Sequence, residues 1–128
     1  STEAVTSAKA SNIVSNLRNL KTAALSAYVD SLDHWSEDPS NNAPTIDQVV
    51  VYLNNGSDLP DKDHYSIYND DGECYIVHEI TGSSNEKDKI GAKLKGRTSS
   101  LGLLNGTALN AKPTGDYTGG NFVGMLIR

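Results

Sequence analysis

The chain has 128 residues, a net charge of −5 and 37% apolar residues. That length supports one core without disulfide or metal staples, and the acidic balance argues against nucleic acid as the main partner. The single cysteine, Cys74, excludes an internal disulfide, and no stretch approaches the roughly 20 apolar residues that span a bilayer.

Residues 3–35 read as one long helix. Ile13, Leu17, Leu20, Ala24, Tyr28, Leu32 and Trp35 recur in steps of three and four, and no Gly or Pro interrupts them. The first part, residues 3–10, is Ala, Ser, Thr and Lys with one Val, and has no such stripe. The expectation is a helix docked over its second part and protruding, without a partner in the chain, over its first.

After a Pro- and Asn-rich loop, Thr45 offers an N-cap and Gln48 its capping-box partner, so a short helix is expected over 46–53. Ile46, Val49, Val50 and Leu53 share one side of it. Two alternating runs, 64–68 and 74–78, flank Asp71-Gly72, a hairpin dipeptide. A two-residue loop there pairs Ile67 with Ile76 and Tyr65 with His78. It places Tyr65, Ile67, Cys74, Ile76 and Ile80 on the core face, with Tyr68, Tyr75 and Val77 on the other.

Residues 86–99 suit a helix with Ile90 and Leu94 inward and lysines outward. Gly91 and Gly96 weaken it, and a strand over 90–94 competes. Leu101 to Leu104 should be tucked in, 105–120 should be irregular, and 121–127 should be a strand with apolar side chains on both faces. The fold class is therefore α+β, in one domain over 1–128. It divides into a helix (1–36), a loop and short helix (37–63), a hairpin (64–80), a helix and loop (81–104), and a loop with a final strand (105–128).

Charge is unevenly placed. Residues 30–79 hold twelve acids and one base, Lys62, whereas Lys87, Lys89, Lys93, Lys95 and Arg97 cluster within 86–97. Opposite patches of this kind can attract copies head to tail.

No catalytic motif stands out. Cys74 and His78 share a strand face but lie about 13 Å apart along it, too far for a thiolate–imidazole pair. Asp58, Asp61 and Asp63, with His64, and Asp70 and Asp71, with Glu73, are candidate calcium ligands that lack EF-hand spacing. Asn55-Gly56-Ser57 and Asn105-Gly106-Thr107 match the glycosylation sequon but read as turns. No metal site or cofactor is expected otherwise, and the chain is not expected to be an enzyme.

The run from Ala10 to Tyr28, ASNIVSNLRNLKTAALSAY, resembles the membrane-distal half of the N-terminal helix of type IV pilins and type II secretion pseudopilins. In that family the helix shows a Leu-x-x-Leu-type stripe and ends in Ala-x-x-Tyr before a Pro/Asn-rich loop; here Leu17 and Leu20 give the stripe, and the run ends in Ala24-Leu25-Ser26-Ala27-Tyr28, one residue longer in spacing, ahead of such a loop. The hairpin and irregular C-terminal region also look like that family. The family's Gly-Phe-Thr-Leu-x-Glu start and transmembrane half-helix are not among these residues, and the resemblance implies that such an anchor precedes Ser1. No cysteine pair brackets a C-terminal loop, and the calcium loop of major pseudopilins has no counterpart in 112–122, where Asp116 is the only acid.

The resemblance implies a structural subunit of a pilus or pseudopilus. Val5, Ala8, Ile13, Leu17, Leu20, Ala24 and Tyr28 would form the assembly helix, and Lys87, Lys93, Lys95 and Arg97 would meet an acidic loop of the next copy. Its partners would be other copies and related pilins, and the membrane through the N-terminal segment. It would be anchored first, then sit in an extracellular, periplasmic or cell-surface filament. The competing reading is a secreted or periplasmic binding module that uses the loops 57–63 and 105–120.

Overall fold

A computed structural model of the chain describes residues 2–30, 44–53, 59–70 and 73–128. Helix α1 (Thr2–Asp30) lies across a four-stranded antiparallel sheet of order β1-β2-β4-β3. The strands are β1 (Tyr65–Asp70), β2 (Glu73–Glu79), β3 (Leu103–Gly106) and β4 (Phe122–Leu126). Three short helices, α2 (Ile46–Val50), α3 (Ser84–Lys95) and α4 (Thr98–Leu101), and a 3₁₀ turn at Lys62–His64 complete it. This is the expected α+β class. Residues 31–35, expected to continue the first helix, lie outside the described residues.

The local signals that set each element are visible. In α2, the Thr45 hydroxyl accepts from the Gln48 N–H at 3.2 Å, and the Thr45 N–H donates to Gln48 Oε1 at 2.9 Å. That is the expected capping box, although the helix closes at Val50 and 51–53 form a turn. The hairpin has the expected register, with Ile67 opposite Ile76 and Tyr65 opposite His78. Helix α3 forms rather than the competing strand; Ser83 caps it, and Ile90 and Leu94 point inward.

The core lies between α1 and one sheet face. Ile13, Leu17, Leu20 and Ala24 of α1 meet Cys74, Ile76, Leu103, Val123 and Met125, all at most 8% exposed. Ile67 is half-buried against the same cluster. The reverse face is covered too. Tyr75 and Val77, assigned to it from the alternation, are buried there, and Pro113 packs on Gly124 so closely that a Cβ at that glycine would sit 2.8 Å from the proline's. Ser66 also donates a short hydrogen bond to the Leu109 carbonyl.

Strand β3 departs from the expectation of a loop. It pairs with β4 from Leu103↔Met125 to Gly106↔Phe122. Its outer side is held by the chain that follows: Asn105 N–H donates to Gly115 O, and Tyr117 N–H to Leu103 O. β4 is thus central in the sheet, which explains its apolar residues on both faces.

The larger correction concerns residues 3–10, which do have a partner in the chain. Thr6 and Ala10 are buried, at 2% and 6% exposure, extending the inward stripe one turn further than hydropathy indicates. Helix α3 runs antiparallel beside them. Glu3 pairs with Lys93 at 2.5 Å, and Lys9 pairs with Glu86. The acid in the first turn of α1 and the base in the last turn of α3 each suit the dipole of their own helix. The hydrogen bond from Lys93, with its charge, holds the Glu3 carboxyl below the usual range.

Candidate functional site

Two features of α1 are candidates: its outward face, and a cavity beside its inward one.

The outward face runs the length of the helix. Val5, Ala8, Ser11, Ser15, Arg18, Thr22, Ser26 and Val29 succeed one another in steps of three and four, and all are exposed, Val5 at 52% and Val29 at 68%. Most are small, so another helix can approach this face closely. Of the residues expected to form an assembly surface, Val5 and Ala8 lie here. Ile13, Leu17, Leu20 and Ala24 do not: they are buried against the sheet and serve this domain's own core. Tyr28 is half-buried, with the Arg128 guanidinium stacked 4.1 Å from its ring centroid.

The expected basic contact is divided. Lys95 and Arg97 are exposed and Lys87 is half-buried, whereas Lys93 is engaged by Glu3 within the chain. Among the described residues the candidate calcium ligands form no cluster. Asp61 and Asp63 are exposed, Asp70 ends β1 opposite Glu73, and Asp58 and Asp71 lie outside the described residues. Among the described residues no three His, Cys, Asp or Glu side chains converge. Asn105 is a strand residue, not the expected turn, and its Oδ1 accepts from Thr118 Oγ1 at 3.3 Å. Asn55 lies outside the described residues.

The described parts of the two loops of the binding-module reading, 59–63 and 105–120, do not share a site. Leu59 and Asp61 lie on the α1 side of the sheet, whereas Leu109 and Pro113 cover its reverse face. Cys74 is buried, donates to Asn69 Oδ1 at 3.5 Å, and has its pKa pushed up to about 11 by burial, which suits a packed thiol rather than a nucleophile.

The cavity, of about 230 Å³, opens where α1, the 3₁₀ turn, the hairpin and α3 meet. Ile13, Tyr65, His78, Ile80 and Ile90 line it and are buried. Lys9, Asn12, Asp61 and Thr81 also line it and are exposed, so they form its mouth, with half-buried Asn16 between. Asn12 and Asn16 stand one helical turn apart, flanking the apolar stripe.

Tyr65 and His78 face each other as a cross-strand pair, their rings 4.2 Å apart between centroids and inclined by 30°. Asn16 Nδ2 donates to the Tyr65 hydroxyl at 3.1 Å, and His78 Nδ1 lies 3.0 Å from the His64 carbonyl. A carbonyl only accepts, so Nδ1 carries the proton and Nε2 is left as an acceptor. Burial pushes the His78 pKa down to about 4 and that of Tyr65 up to about 12. At neutral pH the pair is therefore an uncharged imidazole beside an intact phenol. The hairpin register made this pair legible in the sequence. Its convergence with Asn12, Asn16 and Asp61 was not, because those residues come from separate elements.

Comparison with family models, with curated proteins and with solved structures finds no match.

Proposed function

We propose that the chain is the globular part of a pilus or pseudopilus subunit, which assembles by packing the outward face of α1 against neighbouring copies. The observation that carries this reading is the division of labour along one 29-residue helix. One face is spent on the domain's own core, and the other is exposed and mostly small-sided from Val5 to Val29. Any surface helix has an exposed face, usually rich in charge; along this series the only charged side chain is Arg18, and most of the rest are small. The layout of a long N-terminal helix laid across an antiparallel sheet supports the same reading, as does the resemblance of the Ala10–Tyr28 run.

The folded structure also changes what the reading requires. Residues 3–10 need no neighbour to be ordered, because α3 already holds their inner side through Thr6, Ala10 and two ion pairs. Neighbours would cover only the outer side. No described helix is long and apolar enough to cross a membrane, so any anchor lies outside these helices.

The test is the sequence encoded immediately before Ser1. A Gly-Phe-Thr-like start followed by about 20 apolar residues supports the reading. A cleavable signal peptide ending directly at Ser1 overturns it.

A further inference from the structure

We propose that the cavity between α1, the hairpin and α3 binds one pyranose-sized, polyhydroxylated ring through a ligand hydroxyl that bridges Tyr65 and His78. The inference does not rest on the filament reading: α1 lines the cavity with Lys9, Asn12, Ile13 and Asn16, none of which belongs to the outward series from Val5 to Val29.

The chemistry follows from what the two side chains leave unused. The Tyr65 oxygen accepts from Asn16, so its own proton remains to be donated. His78 gives its Nδ1 proton to the His64 carbonyl, so Nε2 remains to accept. His78 and Tyr65 both line the cavity, so a ligand within it lies beside the two rings. A donor and an acceptor on rings 4.2 Å apart are satisfied together by a group that both accepts and donates, as an alcohol does. A carboxylate would satisfy only Tyr65, and an ammonium only His78.

The remaining lining defines the rest of the ligand. Asn12 at the mouth offers both a donor and an acceptor, and Asp61 offers acceptors for further hydroxyls. Ile13 and Ile90 give an apolar wall for the C–H face of a ring. Lys9, the only cation among the lining residues, is already paired with Glu86, which disfavours an anionic ligand. At about 230 Å³ the space is below the roughly 300–1,000 Å³ of sites for drug-sized molecules, which restricts the occupant to a single ring. That ring can be a free monosaccharide or the terminal unit of a glycan.

The experiment is a ¹H–¹⁵N NMR titration of the intact domain, following the Asn12 and Asn16 carboxamides and the His78 imidazole. The probes are glucose, galactose, mannose and N-acetylglucosamine, their methyl glycosides, and cyclohexanol as a ring with one hydroxyl. At least one pyranose is expected to give saturable shifts at these groups, with a dissociation constant on the order of 1 mM, and cyclohexanol none. A sugar that binds equally as its methyl glycoside identifies a glycan terminus; one that binds only with a free reducing end identifies a free monosaccharide. Tyr65→Phe should weaken binding roughly tenfold, as the loss of one hydrogen bond to a ligand allows. Asn12→Ala, at an exposed position, should weaken it several-fold and serves if the Tyr65 variant fails to fold. Absence of saturable shifts with every pyranose, or unchanged affinity in the folded variants, overturns the proposal.

Discussion

The two ends of α1 are held by different physics. From Ile13 to Ala24 the helix is fixed by large side chains at or near full burial: Leu17, Leu20 and Ala24 are at 0% exposure. From Glu3 to Ala10 it is fixed by two small buried residues and by ion pairs to exposed Lys93 and half-buried Glu86. Area removed from water dominates at the first end, because burying one leucine contributes about 1.5–3 kcal/mol. The second end is a close fit to α3 that charge trims rather than creates, since exposed ion pairs contribute little. One helix can therefore be rigid in its middle and only lightly attached at its start.

The largest effect should come from the buried end. Leu17→Ala or Leu20→Ala is expected to cost about 2–5 kcal/mol, read as a lowered midpoint in urea denaturation. A cost below that range would show that the sheet, not the helix, organises the core.

Acid should act next, through the hairpin face that α1 covers. His78 is buried and its pKa is lowered from 6.5 to about 4, chiefly by desolvation. The unfolded chain thus takes up a proton that the folded chain refuses. The stability linked to this group is complete above about pH 6.5 and is lost as pH falls toward 4. The full difference corresponds to about 3 kcal/mol. Urea melts at pH 7 and pH 4 measure it, and His78→Gln should flatten that part of the dependence.

A smaller effect should follow from disturbing α3, on which the lightly held end rests. A Cβ at Gly91 would lie 2.6 Å from the Gly119 carbonyl oxygen and 3.1 Å from the Tyr117 hydroxyl. Tyr117 is buried and donates to Gly120 O at 2.6 Å, so it has little room to yield. Gly91→Ala is expected to destabilise by about 1–3 kcal/mol, with faster amide exchange at 3–10 than at 17–24.

The smallest effect belongs to the ion pairs. Lys9→Gln, or Glu3→Gln with Lys93 unchanged, should leave the melting midpoint nearly unaltered. Amide exchange over residues 3–10 should rise, and high salt should mimic the change in the unmutated protein. A large loss of stability would mean that charge, not the fit of Thr6 and Ala10, attaches this end.

The same contrast explains what could be read from the residues alone. The hairpin register was legible because an Asp-Gly dipeptide between two alternating runs signals a two-residue connection, and alternation then assigns every face. The capping box of α2 and the inward Ile90 and Leu94 of α3 were legible for similar local reasons. The docking of residues 3–10 was not, because Thr6 and Ala10 are too small or polar to register as a stripe, and α3, which pairs with this end through Glu3–Lys93 and Lys9–Glu86, comes from a distant part of the chain. Strand β3 was missed because Leu103-Leu104-Asn105-Gly106 is short, follows one glycine and ends in another, and owes its form to pairing with β4, which lies sixteen or more residues along the chain. The cavity was legible only in its Tyr65–His78 pair. Its other walls come from positions between Lys9 and Ile90, and no local pattern joins them.

The sharpest test of the filament reading uses the face that the fold leaves exposed. Val5→Asp and Ala8→Asp, introduced together into the full-length protein in its own host, should leave the domain's melting midpoint unchanged, because both positions are exposed. Filaments sheared from those cells should be lost. Normal filament yield with the doubly substituted subunit incorporated would contradict assembly through this face of α1.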